Sequence, residues 1–395
     1  MKSTVLSPDD ARALVPELAQ TRNPLVWVYR FTDSDDRWTL SIATHAPPGS
    51  GKLSLGGFRI VPEERQKAVG FSTDVEAIAL AMGMEEKVHW SRVIGVGGPL
   101  VMHDIHRIVG GTCVLAPTNE SRVGQPDDAE LLDFAIRCFK QAERDGGFML
   151  TTGQDLGHGL MSDGMTQSLQ YLNARYKGSA VADTSELTAE GNYQILRGMV
   201  RACDLALENA TVALIGCGNI GMHVVERLQQ HGTRMLVLEA RDSRRAELDA
   251  LGIPAWPVSE QGQFLELPFD ALVVNASGGT LDEATVNACT RNDQLSVICG
   301  CENLVMPDSS LVYPLRDAHK VYAPTELGGM MGYLTAAEEY LSRLEGVPLD
   351  YEALLGAAGR LEVAGHDATR RIIEGGHRET FEDAVTAIYG ASSAR

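Results

Sequence analysis

Residues 210–239 read A-T-V-A-L-I-G-C-G-N-I-G-M-H-V-V-E-R-L-Q-Q-H-G-T-R-M-L-V-L-E, and this stretch decides the fold. Thr211–Ile215 is an apolar, β-branched run of the kind found in buried parallel strands. The glycine turn Gly216–Gly221 follows at once. A segment of helical spacing and a second apolar strand come next, and Glu239 closes the stretch. This order predicts a βαβ unit that binds a dinucleotide.

Each glycine of the turn has its own physical role in such a unit. Gly216 permits the tight strand-to-helix turn, Gly218 lets the backbone approach a pyrophosphate, and Gly221 lets the helix pack close to the strand. Asn219 and Ile220 open the helix, whose first N–H groups and positive dipole end attract phosphates. We therefore expect these five residues to bind the cofactor.

The residue that ends the second strand bears on which cofactor binds. A carboxylate at Glu239 would accept hydrogen bonds from an adenosine ribose and would repel a 2′-phosphate, which favours NAD over NADP. Arg241, Arg244 and Arg245 follow and could reverse that preference, or they could simply be the solvated start of a helix.

The composition is that of a globular protein, with 44% hydrophobic and 22% charged residues. A chain of 395 residues is expected to form two or three domains. The net charge of −19 disfavours nucleic acid and anionic membranes as partners. The chain has neither a transmembrane-length apolar run nor the apolar core of a signal peptide, so a cytoplasmic protein is expected. The seven cysteines form no C-x-x-C pair, which indicates buried thiols and no metal site.

The fold class follows from the pattern on either side of the glycine turn. Downstream, apolar strands such as Ala271–Asn275 and Leu295–Cys299 alternate with helical segments, which predicts an α/β fold with a doubly wound parallel sheet. Upstream, Leu25–Phe31 and Trp38–His45 predict a β-hairpin. The strand Lys52–Ile60 contains a glycine pair, which indicates a close backbone approach by a ligand or another chain.

Seven short segments share their order and spacing with one known family. They are Leu55–Ile60 (L-G-G-F-R-I), Gly83–Lys87 (G-M-E-E-K), Thr152–Gly157 (T-G-Q-D-L-G), Leu187–Gly191 (L-T-A-E-G), Gly216–Gly221 (G-C-G-N-I-G), Val297–Asn303 (V-I-C-G-C-E-N) and Val321–Pro324 (V-Y-A-P). With these motifs the chain resembles the Glu/Leu/Phe/Val amino-acid dehydrogenases, and most of all the leucine/phenylalanine/valine branch.

The resemblance implies a fold, a domain order and an activity. Residues 1–185 would form an α/β domain for substrate binding and oligomerisation, and residues 186–334 the NAD-binding Rossmann domain, with a cleft between them. Residues 335–395 would be helices that return to the N-terminal domain. The family is homo-oligomeric and deaminates an L-amino acid oxidatively, through an imine, to a 2-oxo acid and ammonia.

The resemblance also assigns roles to single residues. Lys87 would grip the substrate carboxylate, and Asp155 would move protons to and from the substrate nitrogen and water. The residue-level alternatives are a solvated lysine at a helix end and an aspartate that stabilises a turn. The remaining assignments are Gly56, Gly57 and Asn303 for the substrate, and Thr188, Ala276 and Asn303 for the cofactor.

The chain departs from the family where a second, catalytic lysine is expected. That lysine would stand twelve residues after Lys87, and the residue there is Pro99. Proline carries neither charge nor proton, so water addition to an imine would lose electrostatic help worth about a hundredfold or more in rate. The candidates for a substitute are His89, Arg92, His103, His106 and His158.

A second departure lies in Thr325–Gly332, where the family has an Asn-Ala-Gly-Gly-type segment. Met330 and Met331 would line an apolar pocket or fill the core. Glu326 would meet a cationic substrate group or lie at the surface.

Together these features predict an NAD-dependent oxidoreductase that transfers a hydride between nicotinamide and the α-carbon of an amino or imino acid. Because the lysine is absent, we expect altered chemistry, either imine reduction or amine oxidation. One alternative is a lyase, isomerase or cyclase with tightly held NAD. Another is a non-catalytic protein that senses a ligand.

Overall fold

The structure of the protein is a computed structural model, which describes residues 1–117, 121–180 and 183–390. The chain divides into two compact units. Unit 1 comprises Met1–His89, Pro99–Thr184 and Tyr333–Leu349, and unit 2 comprises Trp90–Gly98, Ser185–Gly332 and Asp350–Arg395. Within the described residues, no helix is both long enough and apolar enough to cross a membrane.

Unit 1 is built on a mixed sheet. Its strands are β1 (Lys2–Leu6), β2 (Trp27–Thr32), β3 (Trp38–Thr44), β4 (Leu53–Leu55), β5 (Gly57–Ile60), β6 (Ile108–Pro117), β7 (Met149–Leu150) and β8 (Gly153–Gln154). Its helices are α1 (Pro8–Leu14), α2 (Glu63–Gln66), α3 (Thr73–Ile94, which runs on into unit 2), α4 (Pro99–Asp104), α5 (Asp128–Gly146) and α6 (Ser168–Asn173). In the described residues the strand order is β1-β2-β3-β6-β4-β7, with β5 paired to both β6 and β8.

The expected hairpin is present as the antiparallel pair β2–β3. Alternate residues of β3 point to opposite faces of the sheet. Leu40 and Ile42 lie in one apolar cluster with Phe134 of α5. Ser41, between them, donates a 2.6 Å hydrogen bond to Asp74 of α3. Helices α5 and α3 therefore cover opposite faces of the sheet.

Unit 2 contains the parallel sheet that the glycine turn predicts. Its strands are β9 (Thr211–Ile215), β10 (Arg234–Leu238), β11 (Ala255–Trp256), β12 (Ala271–Val274), β13 (Val297–Gly300) and β14 (Val321–Tyr322). Its helices are α7 (Ser185–Ala202), α8 (Asn219–Gln230), α9 (Asp242–Ala250), α10 (Gln261–Leu265), α11 (Glu283–Arg291), α12 (Val312–Asp317), α13 (Thr325–Glu345, which runs on into unit 1), α14 (Tyr351–Glu374) and α15 (Phe381–Tyr389). The strand order is β11-β10-β9-β12-β13-β14. The chain proceeds from β9 to one edge of the sheet and then from β12 to the other edge, as in a doubly wound Rossmann sheet. The predicted fold class is therefore confirmed.

The C-terminal helices differ from the expectation. Only Tyr333–Leu349 groups with unit 1, whereas Asp350–Arg395 groups with unit 2. The physical reason is close packing of α14 on α7, since a side chain at Gly198 would collide with the carbonyl of Glu362. The expected return of the whole segment 335–395 to the N-terminal domain is therefore wrong for its larger part.

Candidate functional site

The glycine turn in unit 2 has the geometry that a diphosphate requires. Gly216 has φ +86°, and a Cβ there would lie 2.7 Å from the backbone nitrogen of Ala276. A Cβ on Gly221 would lie 2.6 Å from the carbonyl oxygen of Gly216. At Gly218, by contrast, a Cβ would meet only Arg241 Nη2, at 3.9 Å. Gly218 therefore leaves open space above the turn.

The N-terminus of α8 faces that space without a side-chain cap. Gly218 is the N-cap residue and, as a glycine, provides no side-chain cap for the amides of the first turn. Asn219, Ile220 and Gly221 are the first three helical residues, so their N–H groups lack intrahelical acceptors. These residues fit the pyrophosphate of a dinucleotide.

Glu239 lies at the end of β10 and is fastened to the glycine turn. Its side chain is 6% exposed, and Oε2 accepts the N–H of Cys217 at 2.6 Å. Oε1 accepts the N–H of Arg241 at 3.0 Å and its Nε–H at 3.1 Å. Burial acts to raise the pKa of Glu239, but these hydrogen bonds and the Arg241 guanidinium hold that pKa below its ordinary value. The carboxylate is therefore a charged acceptor beside the turn.

The three arginines after Glu239 have different surroundings. Arg244 pairs with Glu247, and Arg245 donates to the carbonyl oxygens of Glu239 and Ala240. Arg241 lies against the turn, with Nη2 3.4 Å from the carbonyl oxygen of Cys217.

A buried glutamate holds the loop that follows β12. Glu302 is 3% exposed and accepts the N–H of Ala276 at 2.9 Å, and the N–H and hydroxyl of Thr280 at 3.1 and 2.8 Å. Burial raises the pKa of Glu302, although the Thr280 hydrogen bonds act in the opposite direction. Ala276 is thereby fixed against Gly216 of the glycine turn.

Asn275, immediately after β12, ties three elements together. Its Oδ1 accepts Asn192 Nδ2 at 2.7 Å and the N–H of Cys301 at 3.0 Å. Because a backbone N–H can only donate, the amide of Asn275 cannot be flipped. Its Nδ2 is buried and has no hydrogen-bond acceptor among the described residues, so it is a donor that a bound molecule or water would satisfy.

In unit 1, the glycine pair of the Leu55–Ile60 motif lies beside Asp155. A side chain at Gly56 would collide with the carbonyl of Gly111. A Cβ on Gly57 would lie 3.3 Å from Asp155 Cβ and 3.7 Å from its Oδ2. Strand β5 pairs with β8 through Gly57↔Gly153, which places Asp155 just past the end of β8. The structure thus brings together Gly57 and Asp155, two of the residues to which the resemblance assigns roles.

Asp155 does more than stabilise a turn. Its Oδ1 accepts the N–H of Leu156 at 2.8 Å, which is the turn contact. In addition, Arg59 grips both carboxylate oxygens, Nε to Oδ2 at 3.1 Å and Nη2 to Oδ1 at 3.2 Å. Arg59 also donates from Nη1 to Glu76 of α3 at 2.6 Å.

Lys87 is held in place by close packing of α3. A side chain at Gly110 would collide with the backbone of Glu85, and the N–H of Gly110 donates to Glu85 Oε2 at 2.6 Å. The carbonyl of Lys87 accepts the hydroxyl of Tyr333 at 3.0 Å. Lys87 is only 6% exposed, which excludes the alternative of a solvated lysine at a helix end.

Pro99 starts helix α4, and an acidic side chain caps that helix. Glu338 of α13 accepts the N–H of Leu100 at 3.0 Å through Oε1 and the N–H of Val101 at 2.8 Å through Oε2. Glu338 is buried, while Pro99 is exposed. The position of the missing lysine is therefore a helix start stabilised by a carboxylate.

The histidine nearest to Asp155 in sequence is not available as a substitute for the lysine. His158 Nε2 lies 2.7 Å from the carbonyl oxygen of Phe58, so that nitrogen carries the proton, and Nδ1 lies 3.1 Å from Ser168 Oγ. Burial lowers the pKa of His158. Because both ring nitrogens are hydrogen-bonded within the fold, we expect no catalytic role for His158. His103 and His106 are exposed.

The remaining predicted residues have the following places. Thr188 is buried in the first turn of α7, and Asn303 follows Glu302 after β13. Met330 and Met331 are fully buried in α13, and Met331 packs against Gly191, so the two methionines fill the core. No group of three or more potential metal ligands occurs in the part of the chain that the structure describes.

Sequence reasoning missed Arg59, Glu302 and Glu338 as site residues. A signal existed for Arg59, because an arginine between Phe58 and Ile60 in a buried strand requires a charged partner. Glu338 gave no local signal, since the amides it caps lie 238 and 237 residues away.

Comparisons with known proteins bear on this arrangement. No protein-family model matches the chain. A valine dehydrogenase of Streptomyces albus is 23% identical over 295 residues, which cover 72% of each chain. The crystal structure of L-tryptophan dehydrogenase from Nostoc punctiforme superposes with a TM-score of 0.60 at 19% identity, over 90% of this chain and 92% of that one. The hetero-hexameric glutamate dehydrogenase from Thermus thermophilus gives 0.63 at 16% identity, over 99% and 88%. This chain is therefore similar in sequence to valine dehydrogenases and similar in fold to amino-acid dehydrogenases of the Glu/Leu/Phe/Val family.

Proposed function

We propose that the protein is an NAD-dependent oxidoreductase that acts at the α-carbon of an amino or imino acid. The sequence relation to valine dehydrogenase and the uncapped glycine turn of unit 2 support this proposal. Bound nicotinamide would supply a hydride donor or acceptor. The chain's own residues would bind the substrate, orient it and balance its charge.

In unit 1, Lys87 would bind the substrate carboxylate and Asp155 would face the substrate nitrogen. A buried ammonium group is a strong partner for a carboxylate that leaves water. Asp155 is partly exposed, and Gly57 beside it has no side chain that would cover Oδ2, so a nitrogen donor can approach that oxygen. Gly56 would keep the strand close to β6, and Asn303 would contribute to the substrate and cofactor sites.

The observation that carries the finer proposal is Glu338 at the start of α4. A nearby cation assists the addition of water to an imine, and at position 99 the chain has instead a proline that starts a carboxylate-capped helix. We therefore propose redox chemistry at a C=N or C–N bond without hydrolysis. A hydride adds to the carbon of a protonated C=N bond while the nitrogen keeps its proton, so neither water nor a further proton is consumed.

We propose NAD as the cofactor because Glu239 is a charged acceptor next to Gly218. The carboxylate would accept a ribose hydroxyl and repel a 2′-phosphate. Arg241 is occupied by Glu239, which keeps its guanidinium from serving a phosphate. We also propose a homo-oligomer, as the resemblance implies.

A direct assay tests the proposal. NADH oxidation would be followed at 340 nm with 1-pyrroline-2-carboxylate, a preformed C=N acid, and in parallel with 3-methyl-2-oxobutanoate plus ammonium. We expect turnover with the cyclic imino acid at least about a hundredfold faster than with the oxo acid. Faster turnover of the oxo acid would contradict the non-hydrolytic chemistry. No oxidation with any imino or oxo acid would contradict the redox function, and NAD released on denaturation would then favour a non-redox enzyme.

A further inference from the structure

The Arg59–Asp155 pair is unequally exposed. The Arg59 side chain is 3% exposed and the Asp155 side chain 14%. The guanidinium is therefore sealed inside unit 1, while the carboxylate it grips still reaches the accessible surface. An ion pair that served stability alone would not need the carboxylate to be more accessible than its partner.

Two further charges complete the cluster around Arg59. Glu76 accepts Arg59 Nη1 at 2.6 Å and Arg65 Nε at 2.6 Å, so two guanidinium groups face two carboxylates. Burial acts to lower the pKa of Arg59, but Asp155 and Glu76 raise it above its ordinary value. Arg59 consequently remains charged, and its guanidinium is fixed by Asp155 and by Glu76.

The fork geometry fixes the carboxylate of Asp155 in rotation as well as in position. Two parallel N–H···O bonds to Oδ1 and Oδ2 define the carboxylate plane, which a single contact would leave free to turn. Oδ1 also accepts the N–H of Leu156, whereas among the described residues Oδ2 accepts only Arg59 Nε, and Gly57 beside it has no side chain to cover it.

We propose that Arg59 is the positioning residue of the site: it orients Asp155 so that the remaining lone pair of Oδ2 receives the substrate nitrogen. This inference rests on the proposed function, in which Asp155 faces that nitrogen. Arg59 acts only through Asp155 and does not touch the substrate. A lysine would keep the charge but lose the fork, so it would not replace Arg59.

The test is a double-mutant cycle with Arg59→Lys, Asp155→Asn and the double variant, assayed with NADH and 1-pyrroline-2-carboxylate. We expect Arg59→Lys to lower kcat by about a hundredfold with KM changed less than threefold. In the Asp155→Asn background, Arg59→Lys should change kcat less than threefold, because the residue through which it acts is already gone. If Arg59→Lys lowers kcat by the same factor in the wild-type and Asp155→Asn backgrounds, the proposal is overturned.

A matched control comes from the same sheet and helix. Arg30 of β2 pairs with Asp74 of α3 and is not among the residues bonded to Asp155, so Arg30→Lys disturbs a comparable strand-to-helix pair. We expect its kcat to stay within threefold of wild type. If Arg30→Lys lowers kcat as much as Arg59→Lys does, strand-to-helix ion pairs in this sheet act only through folding. That result would overturn the positioning role of Arg59.

Failure of the inference and failure of the proposed function give different results. If none of the imino or oxo acids supports oxidation of NADH by the wild-type protein, the proposed function fails. The Arg59–Asp155 pair is then tested by measuring the unfolding equilibrium constant in urea for the same three variants. The two hydrogen bonds between Arg59 and Asp155 should give a coupling of at least tenfold in that constant. A coupling below threefold in that equilibrium would overturn the inference whatever the activity.

Discussion

The carboxylate of Glu338 accepts the N–H groups of Leu100 and Val101, the second and third residues of the helix that begins at Pro99. A negative charge at a helix N-terminus is stabilising, and proline is well suited to the first helical position. The position at which the resemblance leads us to expect a catalytic lysine is thus a stabilising helix start in this chain. The altered chemistry that we propose rests on this replacement.

Removing the Glu338 carboxylate should destabilise unit 1. Glu338→Ala leaves two helix amides without their acceptor, and we expect a loss of about 1–3 kcal/mol in the free energy of unfolding, measured in urea. Glu338→Gln keeps one acceptor oxygen and should lose less. A loss below about 0.5 kcal/mol for the alanine variant would show that the cap contributes little.

Cofactor preference should respond to Glu239. Glu239→Ser removes the charge that repels a 2′-phosphate and releases Arg241 to bind one, so the ratio of kcat/KM for NADH over NADPH should fall by about tenfold or more. Glu247→Ser, which frees Arg244 instead, is the control and should leave the ratio within threefold. An unchanged ratio in Glu239→Ser would contradict the role given to this carboxylate.

His158 should act through stability and not through catalysis. Its pKa is depressed by burial from the ordinary value of 6.5, so the folded protein keeps the ring neutral while the unfolded chain takes up a proton below that pH. The stability contributed by His158 is therefore fully present above pH 6.5 and is lost as the pH falls below it, by at most about 1.4 kcal/mol per pH unit.

The measurement is the free energy of unfolding of wild type and His158→Gln between pH 8 and 5. The difference between them should be constant above pH 6.5 and shrink below it. His103→Gln removes an exposed histidine and should show no such trend. A constant difference across the range, or a hundredfold loss of turnover in a folded His158→Gln, would return His158 to the list of catalytic candidates.

The glycine turn and the sheet around it could be predicted because their causes are local. A β-branched run, glycines at fixed spacing and a terminal acid specify a strand, a turn and a helix within Thr211–Glu239. The hairpin of β2 and β3 was predictable for the same reason. The first strand, Lys2–Leu6, was not predicted, because it is a mostly exposed edge strand with little apolar pattern.

The parts that escaped prediction depend on contacts between distant residues. The bond from His158 to Phe58 spans 100 residues, so the sequence alone left His158 open as a catalyst. The bonds from Arg59 to Asp155 span 96 residues, and those that Glu338 accepts span more than 200. The packing of α14 on α7 depends on Gly198, whose contact, Glu362, is also distant in the sequence.

The most direct test of the central claim is isotopic. NADH carrying deuterium at both C4 positions would be incubated with the protein and 1-pyrroline-2-carboxylate, and the product analysed by mass spectrometry and proton NMR. The account predicts a saturated amino acid that carries one deuterium at its α-carbon, formed in equal amount to the oxidised cofactor and with no release of ammonia. Product without deuterium at the α-carbon, or no product at all, would contradict hydride transfer to a C=N bond.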